Sequence, residues 1–265
     1  MSNQIIYDLP MSAYRALPLL NKSTLNNWVP GKSPRQSLYT YDTSSLNEGR
    51  IIHDIIEGLG EITDNPAFVI SEYDSFRTKE AKAWKDEQTK DIIKPSDVER
   101  YADVYCRVLE ECSLLGLDIT SGKHEVTVTT DAEKARIDFV PDNADFGLCD
   151  WKSIQSANPR SCFQAIDTYN YDMQAWMYRK VYSEVTGEYY DAPFTFIFFE
   201  LKEPYNVTVI KMTDSAMNVG RAKYEQAVAR HLKVPATAGY TDSVLSYEPP
   251  RWTLDKFGIE DNPFK

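Results

Sequence analysis

The spacing of apolar residues changes once along the chain, and that change divides it. Up to about residue 116 the apolar positions recur at helical intervals. In "SSLNEGRIIHDIIEGLG" (44–60), Ile51, Ile52, Ile55, Ile56 and Leu59 form one stripe, Ser45 and Glu48 have the spacing of a capping box, and Gly60 suits the stop. Ser23 is a candidate cap for a short helix in "NKSTLNNW". "RTKEAKAWKDEQTK" reads as a charged, solvated helix. "SDVERYADVYCRVLEECSLLG" opens with a second capping box, Ser96 and Glu99, and stops at Gly116.

From residue 125 the period shortens to two. "EVTVTT" (125–130), "ARIDFV" (135–140) and "FGLCDW" (146–151) predict three strands, the last two joined by the turn-rich "PDNAD". Helical spacing returns in "NPRSCFQAIDTY", with Asn158 as cap and Pro159 at the first helical position, and in "YDMQAWMYRKVYSEVTG", which ends at Gly187. "FTFIFFEL" and "VTVIKM" predict two more strands, and "DSAMNVGRAKYEQAVARHL" a last long helix. The order αβββαβ predicts an α/β (α+β) fold, a mixed central sheet flanked by helices with N-terminal helical additions. One domain is expected over 1–235, followed by an irregular tail over 236–265 that contains "EPPRW".

Composition narrows the classes. The 265 residues are 42% hydrophobic and 12% aromatic, enough for a packed core. No apolar run approaches the roughly 20 residues of a membrane span, and the N-terminus lacks the basic and apolar regions of a signal peptide, so a cytoplasmic protein without a membrane partner is expected. Cys106, Cys112, Cys149 and Cys162 form no CxxC pair and the chain has three histidines, so neither zinc nor a disulfide framework is expected. A formal net charge of −11 opposes a nonspecific nucleic-acid coat. It is compatible with catalytic carboxylates beside a local basic groove.

The candidate chemistry lies in the second and third predicted strands. Alternation puts Asp150 and Lys152 of "FGLCDWKSI" on one face, while Cys149 and Trp151 point to the other. If "PDNAD" closes a hairpin, Asp138 lies beside Asp150. Two adjacent carboxylates repel each other unless a cation sits between them. A hard divalent ion prefers such oxygen ligands, and a nearby ammonium could hold a water for in-line attack on a phosphodiester. Taken alone, the same three residues also read as a surface patch. His53 in its apolar stripe reads as a boundary residue, Glu125 as a solvated edge acid, and Gln174 with Tyr178 (i and i+4) as a half-exposed helix face.

Taken in order, "GRIIH" (49–53), "HEVTV" (124–128), "ARID" (135–138), "CDWK" (149–152) and "QAWMY" (174–178) resemble the PD-(D/E)xK nuclease superfamily, with its restriction-endonuclease-like αβββαβ core. "NKSTL", "GRIIH", "FRTKEAKAW" and "LCDWKSI" further resemble the RecE (exonuclease VIII) type, over roughly residues 20 to 230. Ile137 stands where many members have proline before the first acid, and Asp150 where many have Glu. The resemblance implies metal ligation by Asp138, Asp150, the Trp151 carbonyl and His53. It implies catalytic roles for Lys152, Glu125, Asp138, Asp150, Gln174 and Tyr178, with Lys152 acting on the attacking water and Glu125 on a second metal or a water. Lys22, Arg50, Arg77 and Arg160 are candidate DNA contacts.

The implied activity is a Mg²⁺-dependent 5′→3′ exonuclease on linear double-stranded DNA that leaves 3′ single-stranded tails, with Mn²⁺ able to substitute and no iron–sulfur cluster. The implied partners are duplex ends, a RecT- or beta-type single-strand annealing protein and further copies in a trimeric or tetrameric ring, in the bacterial host cytoplasm if the chain is phage-encoded. The alternatives are a RecB/Cas4-like nuclease acting on single strands or endonucleolytically, and a non-catalytic DNA-end-binding protein on the same fold.

Overall fold

The fold is described from a computed structural model. The structure describes residues 3–39, 45–187, 192–240, 244 and 246–258, with the side chains of 45–47 excepted. In chain order the elements are β1 (Gln4–Ile6), α1 (Met11–Ala16), α2 (Lys22–Leu25), α3 (Ser45–Glu57), β2 (Phe68–Ile70), α4 (Lys79–Glu87), β3 (Asp91–Ile93), α5 (Pro95–Leu114), β4 (Gly122–Thr129), β5 (Lys134–Pro141), β6 (Leu148–Ile154), α6 (Pro159–Tyr169), α7 (Tyr171–Thr186), β7 (Phe194–Glu200), β8 (Val207–Lys211), α8 (Asp214–His231) and α9 (Arg251–Lys256). Six strands form one sheet in the order β1-β4-β5-β6-β7-β8. Only the β6–β7 pair is parallel, so the sheet is mixed, as expected.

Helices cover both faces of the sheet. Ile51, Ile52, Ile55 and Ile56 of α3 and Val104, Val108 and Cys112 of α5 pack on one face, against Phe139, Cys149, Trp151, Ile197 and Phe199. Met173 and Met177 of α7 and Met217 of α8 pack on the other, with Ile137, Leu148, Phe194, Phe196 and Phe198. A strand covered on both faces cannot alternate polar with apolar, hence the continuous "FTFIFF" of β7. Two glycines permit close approaches. Gly147 enters β6 at φ +63°, and a Cβ there would meet the Pro193 carbonyl oxygen at 1.7 Å. Gly220 lets α8 approach the α7 backbone at Asp172, where a Cβ would meet the carbonyl oxygen at 2.1 Å.

Several local expectations need correction. Asn21, not Ser23, caps α2, its side-chain oxygen accepting from the Thr24 N–H at 2.8 Å. Leu59 leaves the apolar stripe and is 48% exposed, because α3 ends at Glu57 and the chain reverses through Leu59 at φ +53° and Gly60 at φ +89°. The Ser45–Glu48 box lies outside the described side chains. At α5, Pro95 takes the first helical position, and the Ser96 N–H is satisfied by Asp74 at 2.8 Å rather than by a box with Glu99. The N-terminal third is not purely helical. It supplies β1 to the sheet edge and the parallel pair β2–β3, too short to show a period. "PPRW" in the tail opens α9. Residues 237 and 238 bond back to Ser33 and Arg35 through their carbonyls. Among the described residues no helix is long and apolar enough to cross a membrane.

Gly220→Ala drives a methyl group into the backbone of α7. We expect a loss of about 1–3 kcal/mol, typical of overpacking, read as a lowered denaturant midpoint at unchanged slope.

Candidate active site

The antiparallel pairing of Phe139 with Cys149 sets the register of β5 against β6 and brings Asp138 opposite Asp150. The Trp151 N–H donates to Asp138 Oδ2 at 3.0 Å. Asp150 is 1% exposed. One of its oxygens accepts from Gln174 Nε2 on α7 and the other faces the Lys152 ammonium, which is two residues on and therefore on the same strand face. Asp150 Oδ2 has no directed hydrogen bond besides that ion pair. Burial disfavours the Lys152 ammonium, but Asp150 and Asp138 outweigh it and raise its pKa. The Lys152 head lies 4.8 Å from the centre of the Tyr171 ring and 5.9 Å from that of Phe196.

His53 on α3 reaches the same point, with Nδ1 3.6 Å from Asp138 Oδ2 and the ring in contact with the Trp151 backbone. Burial, then Lys152, lowers its pKa to about 4, so the imidazole is neutral near pH 7 and has a lone pair to give. Burial and the neighbouring Asp150 push the Asp138 carboxyl well above its usual range. Burial is the first cause of both shifts, disfavouring the charged form of each group; the nearby charge adds to it, Lys152 at His53 and Asp150 at Asp138.

The donor set fits a divalent cation: two carboxylates, a neutral imidazole and the Trp151 carbonyl. Asp150 is drawn toward Gln174 and Lys152, and among the described residues no three His, Cys, Asp or Glu side chains already surround one point. Asp150 Oδ2, which faces Lys152 and has no directed hydrogen bond, is the oxygen that would be offered to such an ion.

A cleft of about 370 Å³ opens above these groups, lined on the sheet side by His53, Glu125, Asp138 and Tyr178 and on the other by the N-terminal segment with Tyr14 and Lys22. Glu125 is not a solvated edge acid. It sits at φ +51° between the paired positions His124–Phe139 and Val126–Ile137, so it faces Asp138 across a break in the ladder. Its carboxylate pairs with Arg136, both side chains being largely buried, and Arg136 also donates to the Leu9 carbonyl. Burial raises the Glu125 pKa against the opposing pull of Arg136. Glu125 is thus engaged with Arg136 in this structure. Tyr178 packs edge-on against Phe194 with its ring centre 6.4 Å away, and burial raises its pKa far above the ordinary tyrosine value.

The basic candidates separate. Lys22 lies in the cleft, where burial and then the Lys152 ammonium lower its pKa to about 7. Arg50 is held by both oxygens of Asp91 at 2.5 Å. Arg77 precedes α4 and Arg160 occupies the first turn of α6, both exposed and neither lining the cleft. The sequence reading missed four residues. Tyr171 supports Lys152, Arg136 anchors Glu125, Tyr14 roofs the cleft, and Lys134 donates to the carbonyls of Tyr14, Arg15 and Leu17. A lysine inside the apolar "KARIDFV" was the one visible sign. A larger depression of about 500 Å³ between α7 and α8 is laced with matched pairs, Lys180 with Glu133 and Glu184 and Arg221 with Glu225. It holds none of the groups above.

A family model described as a PDDEXK-like domain of unknown function (DUF3799) matches residues 33–242. The chain belongs to this PDDEXK-like family. No curated protein sequence matches it. A crystal structure described as "Putative exonuclease" from Eubacterium rectale aligns over 95% of this chain and 98% of that one, with TM-score 0.59 and 15% identity. At that identity the likeness concerns the fold, which is that of the PD-(D/E)xK nucleases. Members of this superfamily work with divalent metal ions. The PDDEXK-like match begins at Ser33, so Tyr14 and Lys22 lie outside it.

A divalent cation is expected to raise the melting temperature of the wild type by mass action, by about 2.7 kcal/mol of stability at a hundredfold excess over Kd. Asp138→Asn and Asp150→Asn should each abolish that increment while remaining folded, and an equal increment in either variant would remove that residue from the ligand set. Arg136→Met should leave Glu125 buried and unpaired and cost about 3 kcal/mol in denaturant unfolding.

Proposed function

We propose that this chain is a Mg²⁺-dependent exonuclease that degrades linear double-stranded DNA from 5′ ends and leaves 3′ single-stranded tails. The observation that carries the reading is the meeting of Asp138, Asp150, Lys152 and Gln174 at one buried point beside His53. Asp138, Asp150, the Trp151 carbonyl and His53 would hold a divalent ion, which would offset the negative charge on the phosphoryl oxygens and acidify a water.

The chain's own residues do the rest. Lys152, beside Asp150 and the Tyr171 ring, would orient the attacking water and contact a non-bridging oxygen. Gln174 holds the other Asp150 oxygen and fixes the carboxylate plane. His53 stays neutral and does not compete for the proton. Tyr178, with its pKa raised, remains a phenol able to donate to phosphate. Mn²⁺ substitutes for Mg²⁺ in this reading. The 5′→3′ polarity, the tails, an annealing-protein partner, a trimeric or tetrameric ring enclosing DNA and a site of action in the bacterial cytoplasm follow from the RecE-type likeness of the motifs. A ring would let an acidic protein present a basic channel.

Linear duplex labelled at the 5′ or the 3′ end, incubated with Mg²⁺, tests this. The wild type should release 5′ label first, as mononucleotides, and Lys152→Ala should lose at least about 100-fold in kcat, the usual cost of deleting one electrostatic group at the reacting phosphate. Cutting of closed circles or of single strands alone would replace the exonuclease with a RecB/Cas4-like nuclease. No cleavage together with no metal binding would leave an end-binding protein.

A further inference from the structure

Lys22, a candidate DNA contact in the sequence, lies outside the residues matched by the family model and has no part in the chemistry proposed above. It is the first residue of α2, whose Asn21 cap, buried Leu25 and adjoining buried Trp28 hold the backbone in place. The Asn170 side chain donates to Asn26 at 3.0 Å and locks this segment to the α6–α7 junction. The Lys22 ammonium donates to the Tyr169 carbonyl at 2.9 Å and lies 5.1 Å from the centre of the Tyr171 ring. Lys152 lies 4.8 Å from the centre of that same ring. Two ammoniums are therefore gathered around one aromatic side chain.

An ammonium has three donors, and the described contacts of Lys22 use one. Among the described residues no carboxylate forms an ion pair with it. Asp150, which attracts both ammoniums, is occupied by Lys152 and Gln174, and Asp172, which also attracts Lys22, by Lys223. Two like charges in a partly desolvated cleft raise each other's energy unless an anion joins them. Asp138 and Asp150 equal Lys22 and Lys152 in number, so a divalent ion would leave this point positive, which suits a phosphodiester.

We propose that Lys22 is a second phosphate-binding ammonium of the active site, contacting the scissile phosphodiester from the N-terminal wall of the cleft while Lys152 faces the attacking water. The inference rests on the nuclease reading. Its ligand is the phosphoryl group being attacked, whose equatorial oxygens gain charge in the transition state, so Lys22 should act on kcat more than on KM.

The test is steady-state cleavage of linear duplex by wild type, Lys22→Ala and Lys22→Arg, on 5′-phosphorylated and 5′-hydroxyl ends, with calorimetric metal titration and melting curves for each protein. Lys22→Ala is expected to lose about 100-fold in kcat, as when one donor to developing charge is removed, with KM changed much less. The loss should be equal on both kinds of end, and metal affinity should be retained. Lys22→Arg, which keeps the charge, should recover part of the loss. An unchanged kcat in Lys22→Ala overturns the proposal. So does a loss confined to 5′-phosphorylated ends, which makes Lys22 an end anchor, or one that follows a fall in melting temperature and is as large in Lys22→Arg, which reduces it to a brace for the Tyr169 carbonyl. A wild type inert on every DNA substrate sinks the nuclease reading and this inference with it, whereas an active wild type beside an active Lys22→Ala sinks the inference alone.

Discussion

Asp138 and Asp150 stand opposite each other on adjacent strands inside a sheet that is covered on both faces, and much of the structure answers to that constraint. Burying one carboxylate is costly and burying two side by side is more so. The chain meets the cost with directed partners: the Trp151 N–H for Asp138, and Gln174 and Lys152 for Asp150. The partners come from β6 and α7 and the acids from β5 and β6, so the register of β5 with β6 and the docking of α7 must both be correct at once. The close approach at Gly220 that fits α8 against α7 thereby supports Gln174 as well.

A second investment of buried charge fixes the N-terminal segment. Lys134 is 2% exposed and directs its ammonium to three carbonyls around the C-terminal end of α1. There it meets the negative end of the helix as well as unsatisfied acceptors. Arg136, on the same strand, ties Leu9 to Glu125. Alternate residues of β5 thus carry the clamp on α1, the link to Glu125 and the Asp138 carboxylate. The cleft wall and its floor are built on one strand, which limits how far the wall can drift from the reacting centre.

The fold was legible wherever a periodic run was long. The αβββαβ order, the Asn158 cap and the stop at Gly187 all came from pattern. β1, β2 and β3 are three residues each, below the length at which alternation can be told from chance. α5 starts where it does because Pro95 fits the first turn and Asp74 arrives from a distant loop, a tertiary partner that no local motif encodes. In the site, spacing placed Asp150 and Lys152 on one face and Gln174 and Tyr178 on one helix. It could not reveal Glu125 turned at φ +51° toward Arg136, because backbone left-handedness at a non-glycine leaves no trace in composition. Nor could it show Tyr171 beneath Lys152. That contact depends on Asn170 adopting a left-handed conformation, φ 53° and ψ 48°, to break one helix into two.

The net charge of −11 looked like an argument against a polyanionic substrate, and the geometry shows how little it weighs. Charges separated by more than roughly 10 Å of saline are largely screened. The acids of α5, such as Glu110 and Glu111, lie on a helix covering the sheet face opposite α7, and Glu110 and Glu111 share Arg107. An anion in the cleft would meet Lys22, with Lys152 at the same Tyr171 ring and Glu125 already neutralised by Arg136. Specificity for an anion at this point is a property of a few buried groups within ångströms of one another. An acidic exterior is no obstacle to it, and it discourages nonspecific coating of nucleic acid.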